Sequence, residues 1–433
     1  LFAVTLKLLL FNSRSTANYY RIRQAEYLAE AGIHSVLAQF QSGELSLEYT
    51  GSVTYKKDSC VIRVDDFGLY KRLTASVQLS DIAQEYQSLI GYTSETFAPW
   101  GLSLQSSFSS FVVSRGAVLQ GDLVLNGLDI HYSPPSLFKS DVVKGAIQND
   151  SSFKMVQQAR GRVSSALTNW RSHLKHTGAL PYPAENNEVL QPENFYEDSV
   201  LFEADCIITS DSPDQVDTLA LKEIYSTGSI TFSGNLHIPD AISIFAQGDL
   251  IFQDSVTTGD LFVFSRSGIF IQNSAAIRGQ LIAEEQIVVT HTAQIRPYAI
   301  CLVPSNNEHP DRQPEIGIYE SAGFSGLAIV PNLDNSSKFA ENHRLIDRGK
   351  IVVNTDQVTK GGFFSQGDLD ISGVHYGFVT AQNLVHEVNH TTWWNNLTDL
   401  AIYRYRLHPE YPIPPIFADT GQLTVLSFHP VDQ

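Results

Sequence analysis

Gly228-Ser229-Ile230-Thr231-Phe232, Gly248-Asp249-Leu250-Ile251-Phe252 and Gly268-Ile269-Phe270-Ile271 are one short pattern written three times, 20 residues apart. A second register keeps the step in Gly259-Asp260-Leu261-Phe262-Val263 and Gly279-Gln280-Leu281-Ile282-Ala283. Weaker copies follow at Ile287-Val288-Val289 and Ala299-Ile300-Cys301-Leu302. Brief apolar runs punctuated by glycine at this period fit the windings of a parallel β-helix. One winding cannot bury its apolar side alone, so windings stack, and their inward Ile, Leu, Val and Phe form a column. The Gly-Asp pairs at 121–122, 248–249, 259–260 and 367–368 read as turns rather than acid catalysts or calcium ligands. Glycine permits positive φ there, and aspartate bonds nearby backbone.

Outward from the repeat, brief apolar runs at 107–127 and Gly367-Asp368-Leu369-Asp370-Ile371 are expected to add windings, the former as the first. Ser151 to Lys175 reads as a helix that covers an end or side of the stack: Val156, Val163, Leu167, Trp170 and Leu174 share a face, Asp150 or Ser151 caps it, and Gly178 ends it. Residues 305–351 are polar and Asn-rich, and are expected to form an irregular surface excursion. The aromatic, Pro-rich end, 393–433, is expected to close the stack or pack along its flank.

The chain opens on an apolar run, Leu1 to Phe11, which continues as an amphipathic segment in which Ala25, Leu28, Ala29, Gly32, Val36 and Phe40 recur at helical spacing. Gly43 stands where a helix stops. The apolar part is shorter than the roughly 20 residues a bilayer span needs, and neither an initiator Met nor a charged leader precedes it. A processed or truncated product whose apolar helix began upstream is therefore expected. Strand-like runs at 44–50, 52–55, 60–64 and 69–79 follow, separated by hairpin signals, and 80–100 reads as a connection. The expected organisation is a helix over 1–43, a small antiparallel sheet and connection over 44–100, a β-helix-like domain over 101–392 with a helical insertion at 151–178, and the closing segment 393–433.

The stretch Arg23-Gln24-Ala25-Glu26-Tyr27-Leu28-Ala29-Glu30-Ala31-Gly32-Ile33 resembles the N-terminal helix of minor pilins in the type IV pilin and pseudopilin superfamily, where an apolar helical start runs into an Ala-Glu-Ala-Gly segment. The chain departs from that family in showing no cleavage site and no early glutamate. The resemblance covers about the first quarter of the chain. It implies a structural, non-enzymatic subunit of a pilus or secretion-type filament at the cell surface, held in the inner membrane before assembly. Other pilin-like subunits would be its partners through helix contacts at Leu6, Leu8, Leu9, Leu10, Phe11, Ala25, Leu28 and Ala29. The β-helical head would be displayed for adhesion or tip function, toward a surface glycan or host surface, with no cofactor or metal.

The net charge of −17, with no basic tract, argues against nucleic acid, whose phosphates call for clustered Lys and Arg. Cys60, Cys206 and Cys301 are far apart and in no metal spacing; they allow one disulfide at most, and a buried free thiol is expected for at least one. His386-Glu387-Val388-Asn389-His390 matches the zinc-protease pattern H-E-x-x-H, with Glu410 placed as a third ligand. The β-branched and aromatic neighbours Val385, Val388, Thr391, Thr392, Trp393 and Trp394 favour extended chain. Residues four apart would then lie about 13 Å from each other, too far for one metal. Asn149, Asn335, Asn389 and Asn396 open glycosylation sequons. Two other functions stay open: an extracellular carbohydrate-binding or carbohydrate-active β-helix, in which Asp249, Asp260 or Glu284 would have to converge, and the zinc metalloprotease.

Overall fold

The computed structural model describes residues 2–46, 48–55, 60–79, 82–93, 100–106, 110–114, 117–125, 128–132, 137–139, 142–144, 151–175, 179–182, 188–192, 195, 198–210, 216–219, 221–304, 313–333, 349–388, 391–404, 411, 413–417 and 423–430. The chain is mainly β, with a large parallel sheet, an antiparallel sheet and two α-helices among the described residues. It divides into two compact units, Leu1–Thr96 with Pro412–Gln433, and Phe97–Tyr411.

In the first unit, helix α1 (Phe2–Ser42) packs on a five-stranded antiparallel sheet. The strands Gly51–Tyr55, Cys60–Phe67, Tyr70–Leu79, Ile82–Tyr92 and Leu423–Pro430 lie in that order. Ala25, Ala29, Ile33, Val36, Leu37 and Phe40 are buried at steps of three and four, as one helical stripe requires. They share a core with Ile62, Val64, Leu73, Ala75 and Ile90. Gly32 permits the closest approach: a Cβ there would stand 2.9 Å from Ile62 Cδ1 and 3.1 Å from Cys60 Sγ. The helix ends into Gly43, whose φ of 78° is left-handed.

Two strands differ from the expectation. Ile82–Tyr92, inside the supposed connection, is a full strand; its inward residues are Tyr86, Ser88 and Ile90, and the buried serine interrupts the apolar period by which strands are recognised. Leu423–Pro430 leaves the closing segment and pairs antiparallel with Ile82–Tyr92, Leu423 facing Tyr92. By contrast, Thr391–Trp394, which straddles the expected boundary at 393, and Leu400–Tyr403 within the segment pair in the second unit.

The second unit is a 27-stranded sheet whose ladders are parallel and step forward by one winding of chain, with an antiparallel hairpin formed by Thr391–Trp394 on Gly373–Val388. Three ladders run along it, giving three faces. On the first, Ile244, Val263, Leu281, Cys301 and Ala328 stand in register. On the second, Phe232, Phe252, Ile271, Val289, Ile318 and Val353 do so, and the rings of Phe232 and Phe252 stack 5.1 Å apart. The third includes Ile277, Ile295 and Phe324. These residues belong to one buried apolar cluster. Glycine sets the distance between windings: a Cβ on Gly248 would meet the Gly228 carbonyl carbon at 2.8 Å.

Two further expectations are corrected. Glu315–Glu320 and Gly323–Val330 are not part of a surface excursion; Ile316, Ile318, Phe324 and Ala328 point into the column and pull this stretch into the sheet. Residues 305–312 and 334–348 lie outside the described residues. The runs near 107–127 do not begin the stack. Leu102–Leu104 pairs with Val379–Ala381, and Leu123–Leu125 adds to it, so they extend the end built by the last windings. A buried amide chain fixes that junction. Asn395 Nδ2 donates to Ser106 Oγ at 2.8 Å, and Ser106 Oγ donates to Asn383 Oδ1 at 2.7 Å. The Trp100 indole N–H donates to Thr380 Oγ1 at 3.1 Å.

The chain must then travel from the strand Val142–Lys144 at that end to Leu180–Tyr182 at the other. Helix α2 (Ser151–His173) makes the crossing, 23 residues or about 34 Å long. It lies along the side of the stack. Trp170 sits 5.1 Å from Phe262 and 5.8 Å from Phe264, both outward residues of the first face, and His173 stacks on Phe245.

Candidate functional site

Helix α1 changes character along its length. From Ala25 onward it is seated on its sheet, whereas every residue of Ser15–Gln24 is exposed. Tyr19 is 56% exposed, Tyr20 67% and Tyr27 69%, and Ile22 is exposed beside them. Arg23 lies between these aromatics: its Nη1 reaches Glu26 at 2.6 Å, its Nε donates to the Tyr19 hydroxyl at 3.2 Å, and both contacts hold its guanidinium above the ordinary arginine value. The bonds from Tyr19 to Arg23 and from Arg23 to Glu26 span four and three residues, so they order this solvated surface along one side of the helix.

The expected assembly contacts divide accordingly. Ala25 and Ala29 are buried within the unit, so they serve its own core and are not offered to a neighbour; Leu28 is half-buried. This corrects their assignment: small side chains here let α1 approach its sheet. Leu6, Leu8, Leu9, Leu10 and Phe11 lie within α1, and their side chains are outside the described residues. The exposed aromatic group Tyr19, Tyr20 and Tyr27 escapes a reading that follows only the apolar stripe.

The catalytic-looking residues are placed otherwise. His386 and Glu387 lie in the strand Gly373–Val388, paired with Trp393 and Thr392, not on a helix. His386 Nδ1 stands 3.6 Å from Asp370 Oδ1. His390 and Glu410 are outside the described residues. Asp249, Asp260 and Glu284 are each taken by a structural partner rather than by one another. Asp249 accepts from the Gly268 N–H at 2.9 Å, Asp260 pairs with Arg278 at 2.6 Å, and Glu284 is gripped by Arg171 through two contacts of 2.6 and 2.8 Å. Asp368 of another Gly-Asp pair accepts from Asn383. The turn reading is corrected for two of the pairs: 259–260 and 367–368 lie inside the strands Thr257–Ser265 and Thr359–Ile371, and Asp249, Asp260 and Asp368 bond to groups of the following winding rather than to their own local backbone.

Buried titratable groups make up the rest. Cys60, Cys206 and Cys301 are all free and buried, and burial pushes their thiols up to about 11, 12 and 12. His375 is fully buried, its Nδ1 3.0 Å from Thr359 Oγ1 and its Nε2 3.3 Å from the Phe378 carbonyl. Burial, with Arg404 nearby, lowers it to about 4. The ring is therefore neutral, Nε2–H donating to the carbonyl and Nδ1 accepting from the threonine. Among the described residues, no cluster of three or more His, Cys, Asp or Glu is arranged as a metal site, and no helix is long and apolar enough to cross a membrane.

Comparison with protein-family models, with characterised proteins and with solved structures finds no match for this chain.

Proposed function

We propose that the chain is a non-enzymatic structural subunit of a cell-surface or extracellular filament, joined to neighbouring subunits through the first half of a long N-terminal helix, with the parallel stack as a displayed β-helical head. The observation that carries this reading is Ser15–Gln24, exposed throughout although it bears Tyr19, Tyr20 and Ile22 and continues an apolar run. Burying one large apolar side chain yields roughly 1.5–3 kcal/mol, so a helix left bare along such a stretch gains most from a neighbour that covers it. The resemblance to minor pilins points the same way, and the apolar run would hold the subunit at a membrane before assembly. The test is sedimentation of the full chain over a range of concentrations. Mass should rise with concentration, and Tyr20→Asp with Ile22→Asp should keep the chain monomeric; assembly unchanged by both substitutions would refute the reading.

A second reading has its own observation. Trp393 is 53% exposed and faces His386 across the hairpin, with Asp370 beside the imidazole. An indole face flanked by a carboxylate and an imidazole suits a saccharide, and the head would then be a glycan-binding module. A glycan array probed with the chain and with Trp393→Ala separates this from a purely structural head.

A further inference from the structure

Helix α2 shows how this stack receives a helix. It carries Lys154, Arg160, Arg162 and Arg171 and no acidic residue. Its apolar stripe lies on outward aromatics of the first face, and Arg171 clasps Glu284 at the rim. Among the described residues α2 is this unit's one α-helix, and it occupies the first face.

The second face is built alike. Its outward row runs Ile207, Thr231, Ile251, Phe270, Val288 and, beyond Gly317, Val352, in register from strand to strand and each half-buried. Asp205 and Asp249 stand two residues before Ile207 and Ile251, on one flank. Asp254 and Glu320 are exposed at left-handed turns on the other flank. An apolar row of this extent, rimmed by polar groups, marks an interaction surface.

We infer that the second face receives the N-terminal stretch of α1 from a second copy of this chain. Residues 1–24 carry Lys7, Arg14, Arg21 and Arg23 and no acidic residue, in a chain of net charge −17. They thus repeat the acid-free, basic and apolar make-up of α2, and their charge is complementary to the carboxylates that rim the face. Lengths agree too. From Ile207 to Val352 the row extends about 29 Å at the usual spacing of about 4.8 Å between strands, and twenty helical residues extend about 30 Å. Donor helix and acceptor face are different surfaces of one molecule, so the contact is heterologous and repeats from copy to copy, giving an open filament where the rotation does not close.

The inference rests on α1 being the assembly element, and a mixing experiment on full chains separates the two. One variant disables the helix, Tyr20→Asp with Ile22→Asp; the other disables the face, Ile251→Lys with Val288→Lys, at outward positions. Thermal unfolding within a few degrees of the parent confirms that both are folded. Each alone should be monomeric by sedimentation, and an equimolar mixture should give a one-to-one dimer that grows no further, because one intact helix meets one intact face. Parent assembly should also weaken at least tenfold between low and high salt, a result that requires no variant. If the face variant assembles like the parent, or the mixture stays monomeric, the second face is not the acceptor; the helix keeps its role as long as its own variant is monomeric. Parent-like assembly of both variants overturns both readings, and salt-independent assembly overturns the charged rim.

Discussion

His375 is held neutral by its burial, and this ties stability to pH. In the unfolded chain the imidazole takes a proton near pH 6.5, whereas in the fold it does so only near 4. Between those values the unfolded state binds more protons, so stability is fully present above about 6.5 and is lost as pH falls toward 4. The loss reaches roughly 3 kcal/mol, because each tenfold difference in proton affinity is worth about 1.4 kcal/mol. Urea unfolding at pH 7, 5.5 and 4 should show it, and His375→Gln should flatten the decline relative to the parent; a parent curve with no loss over this window would refute the assignment. Cysteine gives a second expectation at this scale. With Cys60, Cys206 and Cys301 buried and their thiols raised, a thiol reagent at pH 8 should label none of them until the chain is unfolded. Rapid labelling of the native chain would contradict their placement. Gly32 is a third case. Replacement by Leu must displace Ile62 and Cys60, and should cost about 1–3 kcal/mol in unfolding free energy.

At the scale of elements, α2 is held by its apolar stripe and by the Arg171–Glu284 clasp. Glu284 is almost fully buried, so Arg171→Ala leaves a carboxylate without its cation and should destabilise by about 3 kcal/mol. Arg171→Ala with Glu284→Leu should recover part of this in calorimetry; no difference between the single and double variants would contradict the clasp. The repeat at 228–271 was legible because glycine, inward apolar residues and step length recur together, and the strands at 315–330 continue the same inward pattern through a region whose polar surroundings hid it. The strand Ile82–Tyr92 was not legible because Ser88 occupies a core position. The place of residues 102–125 was hidden for another reason: parallel partners are chosen across long sequence distances, and no local signal tells Leu102 that its neighbour is Val379. The Asn395–Ser106–Asn383 chain that holds this junction reads in sequence as ordinary polar loop. Asn395 also has a φ of 49° and accepts from the Leu384 N–H, so Asn395→Ala should cost about 1–3 kcal/mol and speed amide exchange at Leu102–Leu104.

For the whole molecule, the proposed assembly role rests on the division of α1. Its second half was legible from the apolar stripe and is seated as that stripe requires; its first half gave an apolar reading without indicating what covers it. The proposed assembly site is placed where helical pattern and burial part company, at Ser15–Gln24, which is exposed throughout. The most direct measurement is amide hydrogen exchange of this stretch in dilute and in concentrated protein. A bare helix turn opens readily and exchanges fast, while one covered by a neighbour is protected. Protection should rise at Ser15–Gln24 as the chain assembles and remain unchanged at 25–40, already seated on its own sheet. Assembly that leaves exchange at Ser15–Gln24 as fast as in the monomer would contradict the account.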